Sequence, residues 1–191
     1  GRGGYRGWAD RLAERIAAHQ GGLLYANLAV RGLTSRQIRE RQLEAALALK
    51  PDLATVVVGM NDLIRPSFDL EAVAGELETM QRALAAAGAT VLTFTLPDLS
   101  KVMPIARLVR ERTARLNVAF RQVSARCGAV LFELATHPLT ADRRLWARDR
   151  LHASPQGHER IGHALARALG VPGDDAWNDP MAEVPPASLG E

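Results

Sequence analysis

Ala54-Thr55-Val56-Val57-Val58-Gly59, in the first half of a 191-residue chain, is a run of β-branched apolar residues closed by a glycine. A short run of this kind, with no polar alternation, reads as a strand buried on both faces of a parallel sheet. Just upstream, Thr34 with Gln37 three residues on forms a capping box, which opens a helix to about Leu49 that Pro51 stops. Downstream, Asp69 caps a helix whose Leu70, Val73, Leu77, Met80 and Leu84 recur at three- and four-residue steps, a single buried face. Gly88 ends it, and residues 90–96 form the next β-rich run. Pro104 opens a long helix with Ile105, Leu108, Leu116, Phe120 and Val123 on one side. Residues 129–134 give the last strand, and Ser154-Pro155 opens the last helix, with Ile161, Leu165 and Ala168 inward. At the start of the chain, Trp8, Leu12 and Ile16 mark a helix over residues 8–19, and residues 23–28 read as a strand.

Strands alternating with helices of this length predict an α/β fold: a three-layer α/β/α domain with a flavodoxin-like parallel sheet. The domain is expected over residues 1–170. Residues 171–191 dissolve into Pro, Gly, Asp and Ala and read as an irregular acidic tail, either disordered or strapped across the body by Trp177. A doubly wound domain ordinarily opens on a strand, whereas this sequence opens on a helix. The pattern therefore predicts a first strand upstream of the helix at residues 8–19.

Composition narrows the function classes. The chain is 47% hydrophobic and 24% charged, ordinary for a globular domain with a full core. No stretch approaches the ~18 apolar residues needed to span a bilayer. The only cysteine, Cys127, excludes an internal disulfide and a cysteine-based zinc site; it is compatible with a reducing compartment, and a cytoplasmic location is the expectation. Net charge is +3, with five acidic and no basic residues in the last 21. The remaining positive charge is mostly arginine scattered through helical segments, and aromatics make up only 5%. Nucleic-acid binding needs a basic stripe or a stacking platform, and neither is present.

Three short motifs could carry chemistry. Asp149-Arg150-Leu151-His152 lies directly before the last helix. Across such a turn a carboxylate can reach the imidazole Nδ1 and leave Nε2 as a general base; the alternative is a loop aspartate near a surface histidine. Gly59-Met60-Asn61-Asp62 closes the valine-rich strand. Ligands of open α/β sheets bind outside the carboxyl ends of strands, where the Asn61 amide can donate to an oxyanion; the alternative is simple turn chemistry. Asn27-Leu28-Ala29-Val30-Arg31-Gly32 closes the preceding run, and Gly32 can hold a turn that aims its N–H into the same crevice; the alternative is a glycine needed only to turn the chain.

In order and spacing, these motifs resemble the conserved blocks of the SGNH/GDSL serine hydrolases. Asn27-x-Ala29-x-x-Gly32 is similar to the second block, Gly59-x-Asn61-Asp62 to the third, and Asp149-x-x-His152 with Ser154-Pro155-Gln156-Gly157-His158 to the fifth. Gly4-Tyr5-Arg6-Gly7-Trp8-Ala9-Asp10-Arg11-Leu12 is similar to the helix that follows the first block in bacterial members. The resemblance implies an esterase, lipase or thioesterase working through an acyl-serine on a small-molecule ester or thioester, with no cofactor and no metal. It implies His152 as general base, Asp149 as its orienting acid, and the Gly32 N–H and Asn61 as oxyanion donors. The family's Gly-Asp-Ser block does not occur here, so the nucleophile is expected upstream of residue 1, on a strand central to the family's sheet, or on a separate peptide. Of the six serines, only Ser35 lies in a strand-to-helix turn where a substitute nucleophile could stand, and a helix start is its better reading. The rivals are a non-catalytic binding module that keeps the hydrolase crevice, and a nucleotide- or flavin-binding domain, which needs a Gly-rich first turn that follows no strand in this sequence. Loops around residues 65–68 and 96–103 are expected to shape the pocket. Oligomeric state is not encoded in any of these features.

Overall fold

The computed structural model describes residues 6–173 and 175–180. Helix α1 (Trp8–Gln20) leads to a segment without regular structure, then to α2 (Ser35–Ala48) and strand β1 (Leu53–Thr55). The one-turn helix α3 (Met60–Leu63) and the long α4 (Leu70–Ala86) follow, then β2 (Thr90–Phe94), α5 (Arg110–Cys127), β3 (Val130–Phe132) and α6 (Pro155–Ala168). Gly4 and Tyr5, quoted above for the first helix, lie outside the described residues.

The strands form a parallel sheet in the order β1-β2-β3, with Leu53 opposite Thr90 and Leu92 opposite Val130. Successive residues of β2 face opposite layers, as the pleat requires. Val91 joins Val56, Val58, Leu77, Met80, Leu116 and Phe120 beneath α4 and α5. Leu92 and Phe94 join Leu12, Ile16 and Leu165 beneath α1 and α6. The result is the expected α/β/α sandwich. Gly162 makes the α1–α6 contact close: a Cβ there would lie 3.0 Å from the Arg11 Cβ and 3.2 Å from the Trp8 carbonyl.

Three expectations require correction. Residues 23–28 form no strand; Leu24 and Val30 in that region are exposed. A strand's backbone bonds come from its neighbour, and this segment has none among the described residues. The ladder to β2 uses Asp52, Ala54 and Val56, so the alternate residues Leu53, Thr55 and Val57 turn their backbone groups to the open edge of β1. The second correction concerns Pro104. It opens a 3₁₀ segment (Pro104–Val109), not the helix itself, and α5 starts only at Arg110. The tighter 3₁₀ winding breaks the phase, so Ile105 and Leu108 are exposed while Leu116, Phe120 and Val123 are buried. The third is Ala168, which is exposed; Ala164 and Ala166 are buried instead.

The start of the tail lies against the body. Trp177 stacks on His137 with 5.2 Å between centroids and meets Phe132 edge-on at 6.0 Å. Arg160 Nη1 donates to the Trp177 carbonyl at 2.8 Å.

Candidate active site

The His152 loop is a tight hairpin stapled to the start of α6. The Ala147 N–H donates to the His152 carbonyl at 2.7 Å, the Ser154 N–H to the Leu145 carbonyl at 2.8 Å, and Trp146 pairs with Ala153 as an antiparallel bridge. Ser154 is the N-cap of α6: its Oγ accepts the Gly157 N–H at 3.1 Å and donates to the Arg144 carbonyl at 2.9 Å. Gly157 is there for space. A Cβ would sit 2.1 Å from the Leu145 carbonyl oxygen.

Within that hairpin Arg150 adopts φ 57°, the left-handed region that non-glycine residues rarely occupy. The turn folds Asp149 back onto His152. Oδ1 of Asp149 accepts the Leu151 and His152 N–H groups, each at 3.0 Å, and Oδ2 lies 2.7 Å from His152 Nδ1. The backbone N–H of His152, then its ring, then the Leu151 N–H hold the Asp149 carboxyl down to about 2. The pair is open to solvent, with 42% of the His152 side chain exposed.

On the far side of the ring, Arg31 Nη2 lies 3.0 Å from His152 Nε2. Arginine has donors and no acceptor, so Nε2 accepts and the ring proton sits on Nδ1, donated to Asp149. A neutral imidazole held this way has the make-up of a general base.

Gly32 is next to Arg31 and has φ 82°, which explains the glycine; a Cβ there would meet nothing within 4 Å. No acceptor among the described residues takes its N–H. Asn61, on α3, donates from Nδ2 to the Leu33 carbonyl at 3.0 Å, which leaves its second amide hydrogen available. The three motifs, distant in sequence, are therefore linked through two hydrogen bonds: Asn61 to Leu33, and Arg31 to His152.

Ser35 is not part of this group. Its N–H and hydroxyl donate to Asp62 at 2.9 and 3.0 Å, and its side chain is buried at the start of α2. None of the described serines hydrogen-bonds His152. His158 is also structural: Nδ1 accepts the Trp8 N–H at 3.1 Å, and burial, with the Arg11 charge next, pushes its imidazole below the usual range. Beside the site, Leu99, Val102, Ala106 and Trp146 form a small apolar cluster that includes Met60, Met103 and Leu151 at its edge. Leu99, Val102 and Met103 of the 96–103 loop thus pack beside Met60 and Leu151. The 65–68 loop is held by Arg112, which donates to the Arg65 carbonyl at 3.0 Å and lies over the Phe68 ring. Among the described residues no three potential metal ligands converge.

The sequence profile of the GDSL-like lipase/acylhydrolase family matches residues 1–160. The chain belongs to that family. It is therefore an ester-cleaving hydrolase by descent. No curated protein matches the chain. Several solved structures share its fold. The acetylxylan esterase Axe2 of Geobacillus stearothermophilus superposes with a TM-score of 0.71 at 18% identity, over 86% of this chain and 81% of the esterase. The psychrotrophic esterase EstA of a Pseudoalteromonas species gives 0.68 at 20% identity, over 86% of each chain. LAE5, an α/β hydrolase enzyme from the metagenome of Lake Arreo, gives 0.67 at 24% identity, over 86% of this chain and 82% of its own. In this GDSL-family chain no helix among the described residues is long and apolar enough to cross a membrane.

Proposed function

We propose that this GDSL-family protein hydrolyses small-molecule carboxylic esters or thioesters through an acyl-serine. The observation that carries the reading is the set of contacts that links the three motifs: Asp149 to His152, His152 to Arg31 beside Gly32, and Asn61 to the Leu33 carbonyl. His152 Nε2 takes the proton of the serine hydroxyl as it attacks the carbonyl carbon, and Asp149 stabilises the resulting imidazolium. The Gly32 N–H and the free Asn61 amide hydrogen donate to the tetrahedral oxyanion. His152 then hands its proton to the departing alcohol, and water hydrolyses the acyl-serine by the same steps in reverse order.

The serine itself comes from a strand that precedes α1. The open edge of β1 supports this: Leu53, Thr55 and Val57 offer unused backbone groups, and the exposed apolar residues Leu23, Leu24 and Tyr25 lie in the unpaired segment that follows α1. An added parallel strand would bond β1 on one side and allow residues 23–28 to pair on the other. The apolar cluster around Met60, Met103 and Leu151 is the wall against which the uncharged part of the substrate packs.

A second reading, a binding module without a nucleophile, has one observation in its favour: Arg31 occupies the Nε2 lone pair that a serine hydroxyl would need. Hydrolysis of 4-nitrophenyl esters by the protein carrying the proposed upstream strand decides between the two. Turnover that disappears in His152→Ala supports the hydrolase; no turnover with any chain length, in a folded protein, supports the binding module.

A further inference from the structure

Among the described residues, Arg31 is held neither by a backbone carbonyl, as Arg112, Arg150 and Arg160 are, nor by a carboxylate. Arg36, Arg39, Arg82, Arg121, Arg126 and Arg144 each meet a carboxylate within ion-pair distance. Arg31 meets none among the described residues; its partner is a ring nitrogen, His152 Nε2 at 3.0 Å. An imidazole lone pair is a weaker partner for a guanidinium than a carboxylate, which takes its fork through two parallel bonds. The side chain is exposed, so its fork can turn without dislodging anything buried.

Its position relative to the reaction is specific. If His152 is the acid–base, as proposed above, Nε2 is the atom that delivers a proton to the leaving alcohol. A guanidinium hydrogen-bonded to that nitrogen stands on the alcohol side of the scissile bond. The neighbouring wall at Met60, Met103 and Leu151 is apolar. Arg31 brings to the Nε2 side of His152 a positive charge with no carboxylate partner among the described residues.

We infer that Arg31 is a specificity-determining residue that binds an anionic group, carboxylate or phosphate, on the alcohol portion of the substrate, so that the natural substrates are esters of negatively charged alcohols. The same move frees the base. With no ligand bound, Arg31 caps Nε2; an anion on the alcohol draws the guanidinium off and opens the lone pair to the nucleophile's hydroxyl. Arg31 carries no proton in the reaction, because a guanidinium does not deprotonate in this range. This inference rests on the hydrolase reading for its kinetic test, but its binding test stands alone.

The kinetic test compares 3-acetoxybenzoate with its neutral isostere 3-acetoxybenzamide, using the protein with its upstream strand. Hydrogen bonds to charged groups are worth enough that Arg31→Gln should lower the ratio of the two kcat/KM values by about 10- to 100-fold, with Arg31→Lys keeping much of the preference. An unchanged ratio in Arg31→Gln overturns the proposal. The binding test titrates the reaction's alcohol product, 3-hydroxybenzoate, into the 191-residue chain and follows the His152 ring by NMR. Tighter binding than 3-hydroxybenzamide, lost in Arg31→Gln, is expected. Equal binding of the two overturns the anion site. If neither ester is cleaved while the charged product still binds through Arg31, the hydrolase reading has failed and the anion site has not.

Discussion

Asp62 binds Ser35 twice: its carboxylate accepts the Ser35 N–H at 2.9 Å and the Ser35 hydroxyl at 3.0 Å, with both side chains buried. Ser35 is the first residue of α2, so its N–H is one of the donors a helix cannot satisfy internally. The carboxylate also meets the positive end of the helix. This pair ties α3, which presents Asn61, to the turn that presents Gly32. Asp62→Ala would strand two buried donors, each costing about 1–3 kcal/mol, and should lower unfolding stability by about 2–4 kcal/mol in urea titrations. A loss below about 0.5 kcal/mol would show that the pair does not anchor the site.

Oxyanion stabilisation makes a separate prediction. Asn61→Ala should lower kcat by about 10²- to 10³-fold with little change in KM, because the donor acts chiefly on developing charge. The Leu33 carbonyl also loses a partner, so the stability of the variant should be measured alongside. A loss confined to KM would make Asn61 a ground-state binding residue.

The acid–base pair can be tested by pH. Asp149 sits at about 2, below the ~3.9 of a free aspartate. A lowered folded value means that its contribution to the turn is fully present above about pH 4 and is lost as pH falls through about 2. Carboxyl ¹³C NMR should show Asp149 ionised throughout the range from pH 4 upward, with its midpoint near 2. A midpoint near 4 would mean that the bonds from His152 and Leu151 do not persist in solution. Asp149→Asn should lower kcat by roughly 10²- to 10⁴-fold, because the ring loses the partner that fixes its tautomer.

Gly157→Ala tests how the His152 hairpin is held. The added methyl would overlap the Leu145 carbonyl oxygen, 2.1 Å away, and crowd the Ala153 Cβ at 3.1 Å. Overpacking of this kind costs about 1–3 kcal/mol or more and should displace the hairpin, lowering both Tm and turnover. An unchanged Tm would mean that α6 and the hairpin are not in this contact.

The sequence made the layers legible wherever an element's own face meets the sheet. The spacing of Val73, Leu77, Met80 and Leu84 is that of a buried helix face, and all four are buried. It failed where structure depends on something outside the segment. Residues 23–28 have strand composition, but a ladder needs a neighbour. The helical period that puts Ile105 and Leu108 on the buried face is interrupted by the 3₁₀ segment. The same division holds at the site. The Asp149–His152 pair spans three residues, so its spacing is visible in sequence. The contact between Arg31 and His152 spans 121 residues, and nothing local to Arg31 announces it. Gly157 was visible as a residue of the block but not as a steric requirement, which needs the position of the Leu145 carbonyl.

The most direct test of the central claim is covalent labelling. The protein carrying the proposed upstream strand is treated with a fluorophosphonate, and the adduct is mapped by intact mass and peptide sequencing. A single adduct is expected on a serine preceding Trp8, absent in His152→Ala. No adduct on the folded protein, or an adduct on Ser35 or any other serine after α1, would contradict it.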